Sequence, residues 1–296
     1  MRVIERVITY RTRSDEFTIY PLSDIHFGSV ACDEARLDAT LDEIAADPKA
    51  LYLLLGDQFD SINPMDKRFS VSTLPAWLAA EYTQDHGVCD PQRNELLRRI
   101  KSRKRLAGRC IGVVEGNHEQ KVMHDFGIDM YHQFETALRV NEAERLDLGM
   151  SGFVVLRFQQ VTPGSEAPGH GYTLMMYVTH GFGGGDLAGG VALKLERELA
   201  RFESDITLMG HVHKVQIIPR ARPIRVNANL QLEQPPDVVG AYCGSFMKSR
   251  VQDVTTYPES KGMSPSASSS VLIRVRPFSR TFEVVEKPAL SSTLLA

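Results

Sequence analysis

Over the first two thirds of the chain, short apolar runs alternate with stretches whose apolar residues recur every three or four positions. "FTIYPLS" (17–23) has the length and composition of a buried strand and runs straight into "DIHFG". Residues 33–46 place Leu37, Leu41, Ile44 and Ala45 on one helical face with acids opposite, and Pro48 supplies the stop. "ALYLLLGDQFD" opens on a second strand-length run, 51–55, and "CIGVVEGNHE" on a third, 111–114. Between those two, 61–109 reads as an irregular insertion that ends in a basic helix. A helical stretch over about 119–140 follows, then "GFVVLRF" and "YTLMMYVTH" as strands. Leu187, Val191, Leu195 and Leu199 recur every fourth residue and predict a helix over 187–202. "DITLMGHVH" predicts another strand at 206–208, and 214–220, 239–247, 271–277 and 281–286 are further β candidates.

This order is βα-alternating first and mostly β afterwards, with no internal repeat. The economical reading is one α/β domain over 1–290 with its strands in two layers. It carries the insertion at 61–109, a flexible loop at 252–270 and a tail at 291–296. Two Gly/Pro/Ser-rich pieces, a hairpin loop at 161–171 and the stretch 259–270, interrupt the pattern without separating two self-sufficient halves.

Composition narrows the classes. A formal net charge of −3 predicts no strong global pull toward DNA or an anionic membrane, although a bound metal ion would add local charge that residue counting misses. The four cysteines, Cys32, Cys89, Cys110 and Cys243, form no Cys-x-x-Cys pair, which argues against a thiolate zinc site and a disulfide framework. "MRVIERVITYRTRSDE" is charged every few residues and lacks the apolar centre of a secretory leader. No stretch approaches the roughly 20 apolar residues of a membrane span. A cytoplasmic protein without a membrane partner is expected.

The chemistry collects at strand ends. Five times an apolar run stops and a potential metal ligand follows within a few residues. The first two blocks bring Asp24 and His26, then Asp57 and Asp60. The third brings Asn117, His118 and Glu119. His180 stands alone in the fourth, and His211 and His213 close the series. In α/β sheets ligands bind beyond the carboxyl ends of the strands, so five such ends imply a shared site. Imidazole and carboxylate without thiolate suit divalent manganese, iron, zinc or nickel. Asp24, His26, Asp57, Asn117, His180, His211 and His213 are too many for one tetrahedral ion. They suit two ions sharing a carboxylate, an arrangement used for in-line phosphoryl displacement. Extended backbone would send both side chains of Asp24-x-His26, and of His211-x-His213, to one face.

The blocks "DIH", "GDQFD", "GNHE", "HG" and "GHVH", in this order from residue 24 to 213, resemble the calcineurin-like metallophosphoesterase superfamily. The resemblance implies a two-layer β-sandwich flanked by helices, with a dinuclear metal site between the sheet ends. One metal would take Asp24, His26, Asp57 and His213. The other would take Asp57, Asn117, His180 and His211, with Asp57 bridging. His118 would be the proton donor, oriented by Asp60. Two divalent cations are the implied cofactors, manganese first and iron, zinc or nickel as alternatives. A hydroxide bridging them would attack phosphorus.

Phosphoprotein phosphatases of the superfamily look like "GDxVDRG" and "RGNHE". Here Ser61 and Glu115 stand where those motifs carry arginines that grip a phosphomonoester dianion. The "GDxFD" form is more similar to the phosphodiesterase and nuclease branches. The expected activity is therefore a phosphodiesterase acting on nucleotide or nucleic acid. A phosphomonoesterase acting on a small molecule or phosphoprotein is the runner-up, and a non-catalytic metal-binding scaffold or nucleic-acid-binding module is the alternative from another class. Two weaker signals stay open. The basic run "RNELLRRIKSRKRLAGR" (93–109) is either a solvated helix face or a phosphate contact. "HGFGGGDLAGG" (180–190) fits a dinucleotide fingerprint only superficially; its glycines more simply let backbone pass near metals.

Overall fold

A computed structural model describes residues 1–66, 68–82, 87–161, 169–183, 188–256, 259, 262 and 269–287. The tail at 291–296 lies outside the described residues, as do most of the loop expected at 259–270, residues 162–168 of the hairpin loop and 184–187 of the glycine-rich turn.

The strands are β1 (Arg2–Tyr10), β2 (Phe17–Leu22), β3 (Ala50–Leu55), β4 (Cys110–Val114), β5 (Ser151–Gln160), β6 (Gly171–Thr179), β7 (Ile206–Met209), β8 (Val215–Arg220), β9 (Arg225–Val226), β10 (Leu232–Glu233), β11 (Val238–Cys243), β12 (Ser270–Arg276) and β13 (Thr281–Lys287). The α-helices are α1 (Glu34–Ala46), α2 (Ala76–Glu81), α3 (Cys89–Ser102), α4 (Asn117–Phe126), α5 (Met130–Leu138) and α6 (Ala188–Arg201). One sheet has the order β1-β5-β6-β7-β11-β8 and the other β13-β12-β2-β3-β4, with β9 and β10 a small separate hairpin. In the second sheet β2, β3 and β4 are mutually parallel; in the first, β6, β7 and β11 are. This is the two-sheet α/β architecture expected above.

The run "ALYLLL" shows why both faces of β3 are apolar. Leu53 and Leu55 point into the core between the sheets, with Ile19, Val154, Leu156, Val178 and Leu208. Tyr52 and Leu54 point the other way, against Leu37 and Leu41 of α1, Leu96 of α3 and Phe134 of α5. A strand covered on both sides reads as a continuous apolar run rather than an alternating one. On the far side, Val191, Leu195 and Leu199 of α6 pack on Met209, Val238 and Tyr242. That leaves the carboxyl ends of β2, β3, β4, β6 and β7 at one edge, where the two layers meet.

Three elements differ from the sequence expectation. The stretch 119–140 is two helices, because Gly127 takes a left-handed φ of 68° that closes α4, and Asp129 then caps α5 by accepting from His132 N. The charged N-terminus is an edge strand. Ile4 and Tyr10 face the core while Val3 and Val7 are exposed, so its apolar residues never form a run. The basic helix begins earlier and ends at Ser102, and most of its arginines are already engaged. Arg99 pairs with Glu34, Asp38 and Glu95, Arg103 with Asp38 and Asp42, Arg98 with Glu95, and Arg93 with Asp90. Arg109 donates to the carbonyls at the end of α1. The segment chiefly straps α3 to the acidic face of α1, and Arg98, Lys101, Lys104 and Arg105 are its exposed cations.

Candidate active site

Backbone hydrogen bonds join the strand ends in pairs, β2 with β3 and β6 with β7. His26 N donates to Asp57 O at 2.9 Å, Phe27 N to Gln58 O at 2.9 Å and Asp60 N to Phe27 O at 3.0 Å. In the other sheet Gly210 N, after β7, donates to His180 O, after β6, at 3.1 Å. Asp24, His26, Asp57, His211 and His213 all lie at positive φ, between 47° and 73°. The expectation that Asp24-x-His26 and His211-x-His213 are extended is therefore wrong. Left-handed backbone at alternate residues, not strand alternation, aims these side chains. Such conformations cost roughly 1–3 kcal/mol each and persist where surrounding contacts enforce them. At Asp24 those contacts come from the end of β11: Phe246 N and the Ser245 hydroxyl both donate to the Asp24 carbonyl, at 3.0 and 2.9 Å.

All seven predicted ligand residues converge, in two groups. In the first, His213 Nε2 lies 3.2 Å from Asp24 Oδ1 and 3.2 Å from His26 Nε2. In the second, Asn117 Oδ1 lies 3.0 Å from His180 Nε2 and 2.9 Å from His211 Nδ1, and His180 Nε2 is 3.3 Å from Asp57 Oδ2. Asp57 Oδ2 stands between the groups, 3.8 Å from His26 Nε2. Donor atoms of Asp24, His26 and His213, and likewise of Asp57, His180 and His211, fall within 4.8 Å of one another. A cation at about 2.0–2.2 Å from each could sit among them.

In His180, Asp24 and Asp57, atoms turned away from the site are held by hydrogen bonds. His180 Nδ1–H donates to the Leu55 carbonyl, which leaves Nε2 facing the site. Asp24 Oδ2 takes the Ser23 hydroxyl, His211 N donates to both carboxylate oxygens at 2.9 and 3.1 Å, and Oδ1 is the one that faces His213. Asp57 Oδ1 takes His118 N at 2.9 Å, which leaves Oδ2. His26 Nδ1 is buried with no hydrogen-bond partner, and its Nε2 faces another imidazole nitrogen. Two ring nitrogens face to face need a proton or a cation between them. The donor set is oxygen and imidazole nitrogen without sulfur. These observations fit divalent metal ions.

The electrostatics point the same way. Burial raises the pKa of Asp57, but His118, His180 and His26 outweigh it and hold the carboxyl well below its usual range. Burial lowers that of His180, yet Asp57, Asp24 and the Leu55 carbonyl hold it up at about 10. The carboxylates thus gather positive charge wherever they can, from protons or from metal.

His118 stands beside the two groups, its ring 4.6 Å from that of His26 and edge-on to it. Its Nδ1–H donates to the carbonyl of Asp60. The contact between His118 and Asp60, expected to orient the ring, runs to the Asp60 main chain. The Asp60 carboxylate faces His26 instead, with Oδ1 3.8 Å from Nδ1. With Nδ1 engaged, Nε2 is the atom left for a substrate. A small cleft, partly open to solvent, lies against His118 and is lined also by Ser61, Asn63, Arg68, Lys121 and Phe126.

Sequence reasoning named Glu119 as a potential ligand and then gave it no role. It is fully buried, and its carboxylate accepts Gly116 N at 2.9 Å, Asp57 N at 3.2 Å and Phe59 N at 3.0 Å. Burial, then the charge of Asp57, raises its pKa to about 7. An acid three residues into a helix that reaches back to the residue before it is a capping signal, and "GNHE" shows that spacing. Gly116 is the other half of this contact, since a Cβ there would fall 2.0 Å from Asp57 N. Lys248 lies 3.8 Å from Asp33, and His124, His132 and His170 lie outside both groups.

No family model matches the chain, and no curated protein matches it. Among solved structures it is similar to a conserved uncharacterized protein of Streptococcus pneumoniae TIGR4, described as a predicted phosphoesterase, at 12% identity over 92% of this chain and 99% of that one, TM-score 0.34. It is similar to a Vps29 single mutant from Entamoeba histolytica at 10% identity over 93% and 99%, TM-score 0.36. It is also similar to a metallophosphoesterase from Sphaerobacter thermophilus at 13% identity over 93% and 90%, TM-score 0.39. With its five motif blocks at the carboxyl ends of strands in a two-sheet α/β fold, the chain resembles the calcineurin-like metallophosphoesterase superfamily.

Proposed function

We propose that the protein is a dinuclear metal-dependent phosphoesterase, and that its substrates are phosphodiesters of nucleotides or nucleic acid. The observation that carries this reading is the sharing of Asp57 Oδ2 between two groups of nitrogen and oxygen donors, with His118, its Nδ1 bonded to Asp60 O, close beside His26 and Asp57. Asp24, His26, Asp57 and His213 would hold one ion, and Asp57, Asn117, His180 and His211 the other. Bound there, two divalent ions would make a hydroxide available near neutral pH and draw charge from the phosphoryl oxygens.

The protein's own contribution is placement and proton supply. The Leu55 carbonyl fixes the His180 tautomer, and Ser23 with His211 N turns Asp24 Oδ1 inward. His118, its Nδ1 tied to Asp60 O, would deliver a proton from Nε2 to the leaving oxygen, assistance typically worth about 10²–10⁴-fold. Preference for a diester rests on the two positions where the phosphatase motifs carry arginine. Ser61 N is bonded to Gln92, and Glu115 brings a half-buried carboxyl rather than a cation. The cations that line the cleft beside His118, Arg68 and Lys121, are paired with Asp66 and Asp125, so a second negative charge on the phosphoryl group would compete with those carboxylates.

The test is turnover of bis-p-nitrophenyl phosphate and p-nitrophenyl phosphate after chelation and addition of Mn²⁺, with single-stranded DNA, RNA and cyclic nucleotides as further substrates. Metal-dependent cleavage of the diester but not the monoester is expected. Monoester-only turnover would move the assignment to a phosphomonoesterase, and no turnover with any metal would leave a metal-binding scaffold.

A further inference from the structure

The peptide unit joining Asp60 to Ser61 is bonded at both ends. Its carbonyl accepts from His118 Nδ1–H, and its N–H donates to Gln92 Oε1 at 3.0 Å. Ser61 itself sits at a left-handed φ of 53°, so the plane of this peptide is one the chain would not adopt without help. Gln92 lies in α3, inside the insertion and outside all five motif blocks, and is fully buried. The N–H of Ser61 can only donate, so the atom it meets on Gln92 is the carbonyl oxygen. The other end of that amide, Nε2, has no hydrogen-bond partner among the described residues. Gly28, at a φ of 93°, makes room for it: a Cβ there would lie 2.4 Å from the Gln92 side chain.

Burying an amide with one end unsatisfied costs about 1–3 kcal/mol, so a leucine would suit the packing of α3 better. Among the described residues, the one bond that the Gln92 side chain makes in return is that to Ser61 N. Accepting that N–H fixes the tilt of the peptide and polarises its carbonyl, which strengthens the bond from His118. With Nδ1 held as the N–H end, the ring presents Nε2 to the cleft. We infer that Gln92 is a positioning residue for His118, acting through the Asp60–Ser61 peptide. This rests on the reading of His118 as the proton donor. It also assigns a purpose to the insertion: α3 braces the acid rather than gripping phosphate.

The experiment compares Gln92→Leu, which removes the acceptor, with Gln92→Glu, which keeps it; Gln92→Asn, one methylene short, serves if the leucine variant does not fold. In metal-free protein carrying ¹⁵N-histidine, at a pH where the ring is neutral, His118 is expected to show a protonated Nδ1. In Gln92→Leu the two nitrogens should move toward averaged shifts, and Gln92→Glu should restore the native pattern. With Mn²⁺ bound, Gln92→Leu should lower kcat on an alkyl ester by about tenfold, part of the full acid contribution, and leave p-nitrophenyl ester turnover and Mn²⁺ affinity within about threefold. An unchanged His118 tautomer, or equal losses on the two esters, would overturn the inference. If the tautomer responds but the native protein turns over no phosphoester, the inference about geometry stands and the proposed function is what fails.

Discussion

Glu119 Oε2 accepts the backbone N–H of Asp57 at 3.2 Å, so a carboxylate that holds no metal fixes the residue that would bridge two. The same side chain takes Phe59 N and Gly116 N, and thereby clamps the loop after β3 to the loop after β4. An amide in its place offers one accepting oxygen instead of two and turns an NH₂ toward a backbone N–H. Glu119→Gln is expected to destabilise the protein by about 1–3 kcal/mol in urea unfolding, the cost of a buried unpaired donor. It should also weaken Mn²⁺ binding by about 10–100-fold, as loss of a residue supporting a ligand commonly does. Calorimetric titration reads the second effect. Wild-type affinity in the variant would show that Asp57 needs no such clamp.

Metal and protons should compete for His180. Its pKa is raised from 6.5 to about 10, since Asp57, Asp24 and the Leu55 carbonyl outweigh the burial that lowers it. At neutral pH the metal-free ring therefore carries a proton on Nε2, the atom a metal would need. Binding must release that proton, so affinity should rise with pH, by up to about tenfold per unit for each proton lost. For the metal-free fold the sign is opposite. A raised histidine pKa stabilises fully below about 6.5 and stops doing so as pH climbs toward 10, so apo stability should fall across that interval. Mn²⁺ titrations in buffers of differing ionisation heat count the protons, and a count of zero at pH 7 would contradict this picture.

Arg99 separates structural from ligand-binding charge on α3. Its guanidinium reaches Glu34 and Asp38 of α1 and lies over the ring of Phe27, 4.9 Å from its centre. Arg99→Ala takes from Glu34 its cation, leaves Asp38 with Arg103 alone and removes packing from Phe27. A loss of about 1–3 kcal/mol in unfolding free energy is expected, with affinity for single-stranded DNA and its salt dependence unchanged. Lys101→Ala, at an exposed position, should stay within about 0.5 kcal/mol of wild type. A lower salt slope in Arg99→Ala would show instead that this helix contacts phosphate.

What was legible in the sequence follows from the range of each interaction. Asp24, His26, Asp57, Asn117, His180, His211 and His213 sit immediately after apolar runs, so strand ends alone place them at one edge. Their aim was not legible, because the left-handed turns at Asp24, His26, His211 and His213 are enforced by bonds from distant segments such as Ser245. The contacts of Glu119 with Asp57 and of Gln92 with Ser61 join residues 62 and 31 positions apart, beyond any periodicity. β1 was invisible for a different reason. One of its faces is open to solvent and carries Glu5 between Val3 and Val7, which breaks the apolar pattern that marks a strand.

His118→Asn tests the chemistry most directly. A ring nitrogen of His118 lies within 4.8 Å of donor atoms of His26 and Asp57, but the proposed ligand sets do not need it, and its backbone N–H, which holds Asp57 Oδ1 at 2.9 Å, survives the substitution. Metal affinity should therefore stay near wild type while the proton source is gone. A p-nitrophenolate leaves readily without protonation, whereas an alkoxide does not. The variant should lose about 10²–10⁴-fold in kcat on an alkyl diester and much less on bis-p-nitrophenyl phosphate. Plotting log kcat against leaving-group pKa gives the comparison as one slope, shallow in the wild type and steep in the variant. Parallel slopes would mean that His118 binds or positions the phosphoryl group and that the proton comes from elsewhere in the cleft.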